Sequence, residues 1–232
     1  MSTWSPGQAL ASSDLHSEVA TALRDFYSFL ARLPWLEPSD ILEPPPQGWP
    51  SINSDNFAPL HKSSAVIDLL KHIPYLRMDG SFERYTLIDC WEIPDTSQRE
   101  NNFPDWVVAL TYGKVHGQYI MLDTTDGTAL SYSVQALHDP VYEADDPRAW
   151  RNECANPGSM ARLSDILNEW KHDYEQLNLI GQTNGNGPLH EESSGDAYKK
   201  VRALMLAHGW PNTFDRENCR KAMLEQDQER SK

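Results

Sequence analysis

Apolar residues in "DLHSEVATALRDFYSFLARL" recur every three or four positions, at Leu15, Val19, Leu23, Phe26, Tyr27, Leu30 and Leu33. That period predicts an amphipathic helix, with Ser13 or Asp14 as its cap and Pro34 as its stop. A shorter pattern, Val66, Ile67, Leu70 and Ile73, predicts a second helix over about Ser63 to Ile73, ended by Pro74. A third runs through Leu163, Ile166, Leu167, Trp170, Tyr174, Leu177 and Ile180, with Ser159 or Ser164 as the start signal. Tyr198, Val201, Leu204 and Met205 mark a fourth, closed by "HGWP" with Gly209 as a left-handed cap. A last, mostly charged helix begins at about Asp215.

The pattern between the second and third helices has the shorter period of strands. "RYTLIDCWEI" mixes orientations at Tyr85, Leu87, Cys90 and Trp91, which suggests a bulge near Asp89. Trp106 to Leu110 is a continuous apolar run, as in a strand covered on both faces. "QYIMLDT" and "TALSYSV" flank Asp126-Gly127, a pair that accepts positive φ and closes an antiparallel hairpin. In its second arm Ala129, Ser131 and Ser133 alternate with Leu130, Tyr132 and Val134. The expected fold class is α+β: an antiparallel sheet of four or more strands packed by helices, with a long Pro-rich arm and a C-terminal helical appendage.

The arm is "PWLEPSDILEPPPQGWPSINSDNFAPL", whose prolines forbid a long helix or a central strand. It is expected to lie extended against the core through Trp35, Ile41, Trp49 and Phe57. Residues 1–13 read as a disordered leader, 14–180 as the main domain, 181–195 ("GQTNGNGPLHEESSG") as a flexible linker, and 196–232 as a C-terminal helical segment. Gly-Trp-Pro occurs at Gly48–Pro50 and Gly209–Pro211 with unrelated flanks. It is read as one local device used twice: a turn, a tryptophan anchor and a proline stop.

Composition narrows the function classes. In 232 residues, 34 acidic side chains against 20 basic ones give a net charge of −14, which repels phosphate backbones and anionic lipid, so neither nucleic acid nor a membrane surface is an expected partner. "MSTWSPGQALASSDLH" has neither a basic region nor an apolar run, so no signal peptide is expected. Cys90, Cys154 and Cys219 are few and far apart, which fits a reducing, cytoplasmic setting without a disulfide framework. Glu143, Asp145 and Asp146 read as solvated loop charge.

Nucleotide, P-loop, nucleophile-elbow, HExxH and EF-hand signatures are missing, and no cofactor is expected. Asp145-Asp146 meets Pro147, which breaks the helix that a diphosphate-binding aspartate cluster would need. Loop histidines His61 and His116, with Asp89 and Asp123, are the candidate polar or catalytic groups. Each histidine also has a plain reading as an ordinary surface residue. Asp123 is a poor strand former inside the hairpin. Its plainer role is to accept hydrogen bonds from the backbone or from Thr124 and Thr125 and so fix the turn.

The helix, arm, helix and hairpin order, with Gly117, Asp123 and Gly127 in "GQYIMLDTTDGTALSYSV" and the helix of Leu163, Ile166, Leu167 and Trp170, resembles the SUKH superfamily. That group includes fungal cell-wall-synthesis regulators and bacterial toxin-immunity proteins. The resemblance spans roughly residues 15–180 and departs at the long arm and after Asp196; it implies an α+β domain used for binding rather than catalysis. The rest of the chain looks like that of uncharacterised filamentous-fungal proteins.

Two readings follow. One is a SUKH-like binding protein whose sheet and arm form a groove for a protein partner or small ligand. The other is a cofactor-independent biosynthetic enzyme, an isomerase, cyclase or pericyclic catalyst, acting on an apolar metabolite in an aromatic pocket. Eight aromatic side chains are candidates to line either site: Trp49, Tyr75, Tyr85, Trp91, Trp106, Tyr112, Tyr119 and Tyr132.

Overall fold

A computed structural model describes residues 12–77, 103–111, 119–132, 139–154, 161–182 and 189–230. Residues 1–11 of the expected leader over 1–13 and the expected strand with its bulge near Asp89 lie outside the described residues, and residues 12 and 13 of that leader already belong to the first helix. What is described is α+β, five helices with short antiparallel sheets. None of those helices is long and apolar enough to cross a membrane.

Helix α1 (Ser12–Leu30) buries Leu15, Val19, Leu23, Phe26 and Tyr27 along one face. It tightens at its end, where the N–H groups of Arg32 and Leu33 donate to Phe29 O and Leu30 O, before Pro34, which has no N–H to continue the ladder. Helix α2 (Ser64–His72) starts on Ser63, whose Oγ accepts the Val66 N–H at 3.4 Å, and buries Val66, Leu69 and Leu70. Helix α3 (Leu163–Glu175) lies along α1 with Phe26 against Trp170 and Phe29 against Tyr174. It begins after Arg162, whose N–H donates to Asp165 Oδ2, rather than at Ser159 or Ser164. Leu177 and Ile180 continue its apolar pattern but not its helix: Leu177 turns left-handed at φ 58°, and Ile180 enters a strand.

The arm wraps the core. Its strand β1 (Ile41–Leu42) pairs antiparallel with β2 (Tyr75–Leu76) just after α2, and Trp35, Ile52 and Phe57 are buried. Gly48 and Trp49 close the C-terminus of α2: the Trp49 N–H donates to Lys71 O at 2.9 Å and its indole Nε1–H to Ile73 O at 3.0 Å. These carbonyls belong to a helix end that has no partners of its own. The approach requires glycine, since a Cβ on Gly48, whose φ is 73°, would lie 2.5 Å from Lys71 Cγ and 2.7 Å from Lys71 O.

The second Gly-Trp-Pro repeats the device. Gly209, at φ 85°, closes α4 (Glu191–Ala207) in a Schellman arrangement, with Gly209 N–H on Leu206 O and Trp210 N–H on Met205 O. The Trp210 indole then donates to Glu175 O, the last residue of α3, at 3.0 Å. Each tryptophan thus caps a helix distant in sequence.

Strands β3 (Val107–Ala109), β4 (Tyr119–Asp123) and β5 (Ala129–Tyr132) form the largest sheet, in spatial order β3-β4-β5. Among the described residues this largest sheet has three strands, not the four or more expected. The register pairs Val108 with Leu122 and Met121 with Leu130. Alternation divides the sheet's side chains between two layers. Val108, Leu110, Ile120, Leu122 and Ala129 enter the main helical core, whereas Val107, Met121 and Leu130 pack on Trp150 and Cys154. The hairpin loop is four residues, 124–127, with Asp123 N–H on Thr128 O and Gly127 N–H on Asp123 O, so only Gly127 of the Asp-Gly pair takes a positive φ.

The C-terminal segment is not the appendage its linker suggests. Within that linker β7 (Leu189–His190) pairs antiparallel with β6 (Leu179–Ile180), and α4 starts at Glu191 with an interruption at Gly195. Tyr198, Val201, Met205 and Trp210, with Cys219 and Met223 of α5 (Arg216–Arg230), belong to the same core as α1. Arg216 donates to Leu33 O at 3.1 Å and Leu36 O at 2.7 Å, Arg220 to Pro34 O at 2.5 Å, and both arginines pair with Glu37.

Two outcomes follow. A chain ending at residue 182 loses seven buried apolar side chains, each worth roughly 1.5–3 kcal/mol, which is comparable with the whole stability of a domain. Circular dichroism of that fragment is expected to show no cooperative unfolding transition. Trp49→Phe and Trp210→Phe each keep the aromatic ring but remove one helix cap. Each is expected to lower stability in urea melts by about 1–2 kcal/mol.

Candidate functional site

The end of the arm meets the end of the sheet in a seam that starts at His61. A 3-10 turn at Ala58–Leu60 leaves His61 exposed and left-handed at φ 50°, a region histidine tolerates better than bulkier residues. The next two residues reach the sheet: Lys62 Nζ donates to Pro104 O at 3.2 Å, and the Ser63 N–H to Asp105 O at 2.9 Å. Burial pulls the Lys62 ammonium below its ordinary pKa, and nearby Asp105 partly opposes that. Trp106, the next residue, accepts on its carbonyl oxygen both the N–H of Thr124, at 3.0 Å, and its Oγ1–H, at 2.8 Å.

Thr124 brings the seam to Asp123, which is 3% exposed. Asp123 Oδ1 accepts the N–H of Thr125 at 3.0 Å and its hydroxyl at 2.5 Å. Its Oδ2 accepts Arg151 Nη2 at 3.0 Å, and the same nitrogen donates to Asp126 Oδ2 at 2.8 Å. Asp126 Oδ1 holds the Thr128 N–H at 2.9 Å. Arg151 is 1% exposed and lies over the Trp150 ring. Burial works against its charge, but the hydrogen bonds from Asp126 and Asp123 outweigh that and hold the guanidinium above the ordinary arginine range.

One cation between two carboxylates makes a clamp that fastens the hairpin turn to the 149–154 segment. It does not make an acid–base pair, because the guanidinium stays protonated and both Asp123 oxygens already accept donors. The plainer reading of Asp123, as a turn-fixing residue, describes this geometry through Thr125, with Arg151 added.

Sequence reasoning missed Arg151, which it placed in an acidic, solvated loop. Glu143 and Asp145 of that loop are exposed, but Asp146 is gripped by Arg148, whose hydrogen bonds lower its pKa to about 2. Asn152 ties the loop back, accepting the N–H groups of Val141 and Tyr142 and donating to Tyr142 O. No local signal marks Arg151, because its partners Asp123 and Asp126 lie more than twenty residues earlier in the chain.

The candidate aromatics separate into two groups. Trp49 and Tyr75 form an edge-on pair at 6.0 Å in the main core, with the Tyr75 hydroxyl donating to Leu70 O. Trp106 and Tyr119 are partly buried against the Trp150 cluster on the other face of the sheet. Tyr132 stands opposite Tyr119 in the register. Asp89, His116, Tyr85, Trp91 and Tyr112 lie outside the described residues.

Away from the seam, one group among the described residues is suited to a metal ion: His16 on α1 with Asp68 and His72 on α2. Burial keeps the His16 imidazole below the ordinary histidine pKa, against the opposing charge of Asp68 and with a smaller contribution from His72. Comparison with protein-family models, with curated proteins and with solved structures finds no match for the chain.

Removing one partner of a buried charge cluster strands the others. Arg151→Met is therefore expected to cost about 3–5 kcal/mol. Asp123→Asn should cost less, and Asp126→Asn least, because Asp126 is the more exposed carboxylate. Urea denaturation of the three variants measures the order.

Proposed function

We propose that this chain is a non-catalytic binding protein of the SUKH-like kind, with the arm and sheet seam as its contact surface for a protein partner. The observation that carries the reading is the use of Asp123. The most chemically suggestive carboxylate of the hairpin is wholly engaged by Thr125 and Arg151. Beside it, Phe103 and Trp106 remain partly exposed, next to the exposed His61, Asp105 and Thr125. A rigid surface with a part-exposed tryptophan, rimmed by polar groups, is the composition of a protein-binding hot spot. The candidate aromatics described lie on opposite faces of the sheet, which also supports a contact surface over one enclosing pocket. The helix, arm, helix, hairpin and helix order supports the SUKH-like character.

The test is affinity capture at near-native abundance with the wild-type chain and a His61→Asn/Lys62→Gln variant. Asparagine suits the left-handed backbone at 61, and glutamine keeps a hydrogen-bond donor at 62 while removing the charge. A defined partner retained by the wild type and reduced at least about tenfold with the variant is expected, as for loss of a hot-spot contact. Equal capture by both moves the interface off the seam. Turnover of an apolar metabolite by the purified chain overturns the non-catalytic reading.

A further inference from the structure

Helices α1 and α2 cross where three metal-binding side chains converge. Asp68 and His72 are one helical turn apart on α2 and share a face, and His16 reaches the same point from α1. His16 Nδ1 stands 3.6 Å from Asp68 Oδ2, and His72 Nδ1 stands 3.4 Å from Asp68 Oδ1, so each ring faces its own carboxylate oxygen. The two imidazoles are nearly parallel, 18° apart, with centroids 6.2 Å from each other. One ligand atom from each residue lies within 4.8 Å of the other two.

Both ring-to-carboxylate separations are too long for N–H···O hydrogen bonds, which fall at about 2.7–3.2 Å. Each is of the size that two neighbouring ligands of one zinc ion show, since zinc-to-ligand bonds of about 2.0–2.2 Å at tetrahedral angles put ligand atoms about 3.3–3.6 Å apart; because the two separations run to different oxygens of Asp68, joint ligation through one of them requires the carboxylate to turn. The two histidines would also have to rotate toward each other for one ion to reach all three residues. The surroundings also fix which nitrogen of His72 is on offer. Its Nε2 is covered by the Gly48 turn, since a Cβ on Gly48 would come within 3.0 Å of it, so Nδ1 is the nitrogen that faces the cluster. That nitrogen now lies 2.8 Å from Asp68 O, and ligation would exchange this hydrogen bond for a metal bond, with the ring proton moving to Nε2.

We propose that His16, Asp68 and His72 form a binding site for a divalent metal ion of the zinc class. Two imidazoles and one carboxylate suit such an ion, and three protein ligands leave a coordination position for water or an incoming group. Asp68 is 56% exposed on its side chain, so the site opens to solvent. A bound ion would fasten α1 to α2 at the point where Gly48 and Trp49 of the arm also dock. The proposal is independent of the binding role assigned to the seam.

The test strips the full chain with a chelator, desalts it, adds zinc chloride and measures bound metal after gel filtration, with calorimetry for affinity. One zinc per chain is expected, together with a zinc-dependent rise in Tm, because an ion that binds only the folded state stabilises it. His16→Asn, His72→Gln and Asp68→Asn should each lower affinity at least about tenfold, since loss of a supporting partner alone commonly costs that much at metal sites. Circular dichroism in chelator confirms that the variants fold. Should a histidine variant fail to fold, Asp68→Asn, on the exposed ligand, decides. Absence of bound zinc in the wild type, or equal uptake by wild type and folded variants, overturns the proposal.

Discussion

The structure depends on satisfying the backbone of an arm that cannot form regular secondary structure. From Ala31 to Ser63 the chain has only short 3-10 turns and the two-residue strand β1, yet it runs over a packed core, where unpaired peptide groups are costly. Its carbonyls find partners far away in sequence. Arg216 and Arg220 of α5 take those of Leu33, Pro34 and Leu36. In return, the arm supplies donors where helix α2 runs out of them, through the main-chain and indole N–H groups of Trp49. The C-terminal helices are therefore integral to the fold: they complete the apolar core and neutralise the arm's polar groups in the same place.

The same economy of partners shapes the hairpin. Asp123 and Asp126 would be costly under the Trp150 layer without a counter-charge, and Arg151 supplies it with one nitrogen shared between two carboxylates. Such a cluster adds little net stability over an apolar one, but it permits few alternative packings. It fixes the end of β4 against the 149–154 segment, and Thr124 passes that position to Trp106 and on to the arm. A partly aromatic edge held by fixed charges results.

Much of the local architecture was legible because it has a period or a local chemistry. The helices announced themselves by apolar spacing, the hairpin by its alternation and Asp-Gly pair, and the arm by its prolines. The two Gly-Trp-Pro segments were recognisable as one device because glycine and proline constrain the backbone locally, although the carbonyls their tryptophans seek were invisible. The α3 pattern ran past its helix because burial demands an apolar residue at Leu177 and Ile180 whatever the backbone does there. Similarly, the Gly-rich composition of 181–195 suggested a linker, whereas Leu189 carried the information that its end returns to the core.

Of the candidate site, Asp123 was legible as an anomaly, a carboxylate where a strand former belongs. Arg151 was not, since nothing near it in the chain distinguishes a buried arginine from a solvated one. Asp68 and His72 share a helical face by spacing alone, but His16 joins them only through the crossing of α1 and α2. The sequence by itself determined the elements and their buried faces, because dihedral preference and amphipathic period act over a few residues. Tertiary structure alone decided which charges became partners, which helix ends the tryptophans capped and whether the C-terminus stood apart. Those outcomes depend on contacts between segments up to 186 positions apart in the chain, which no local pattern encodes.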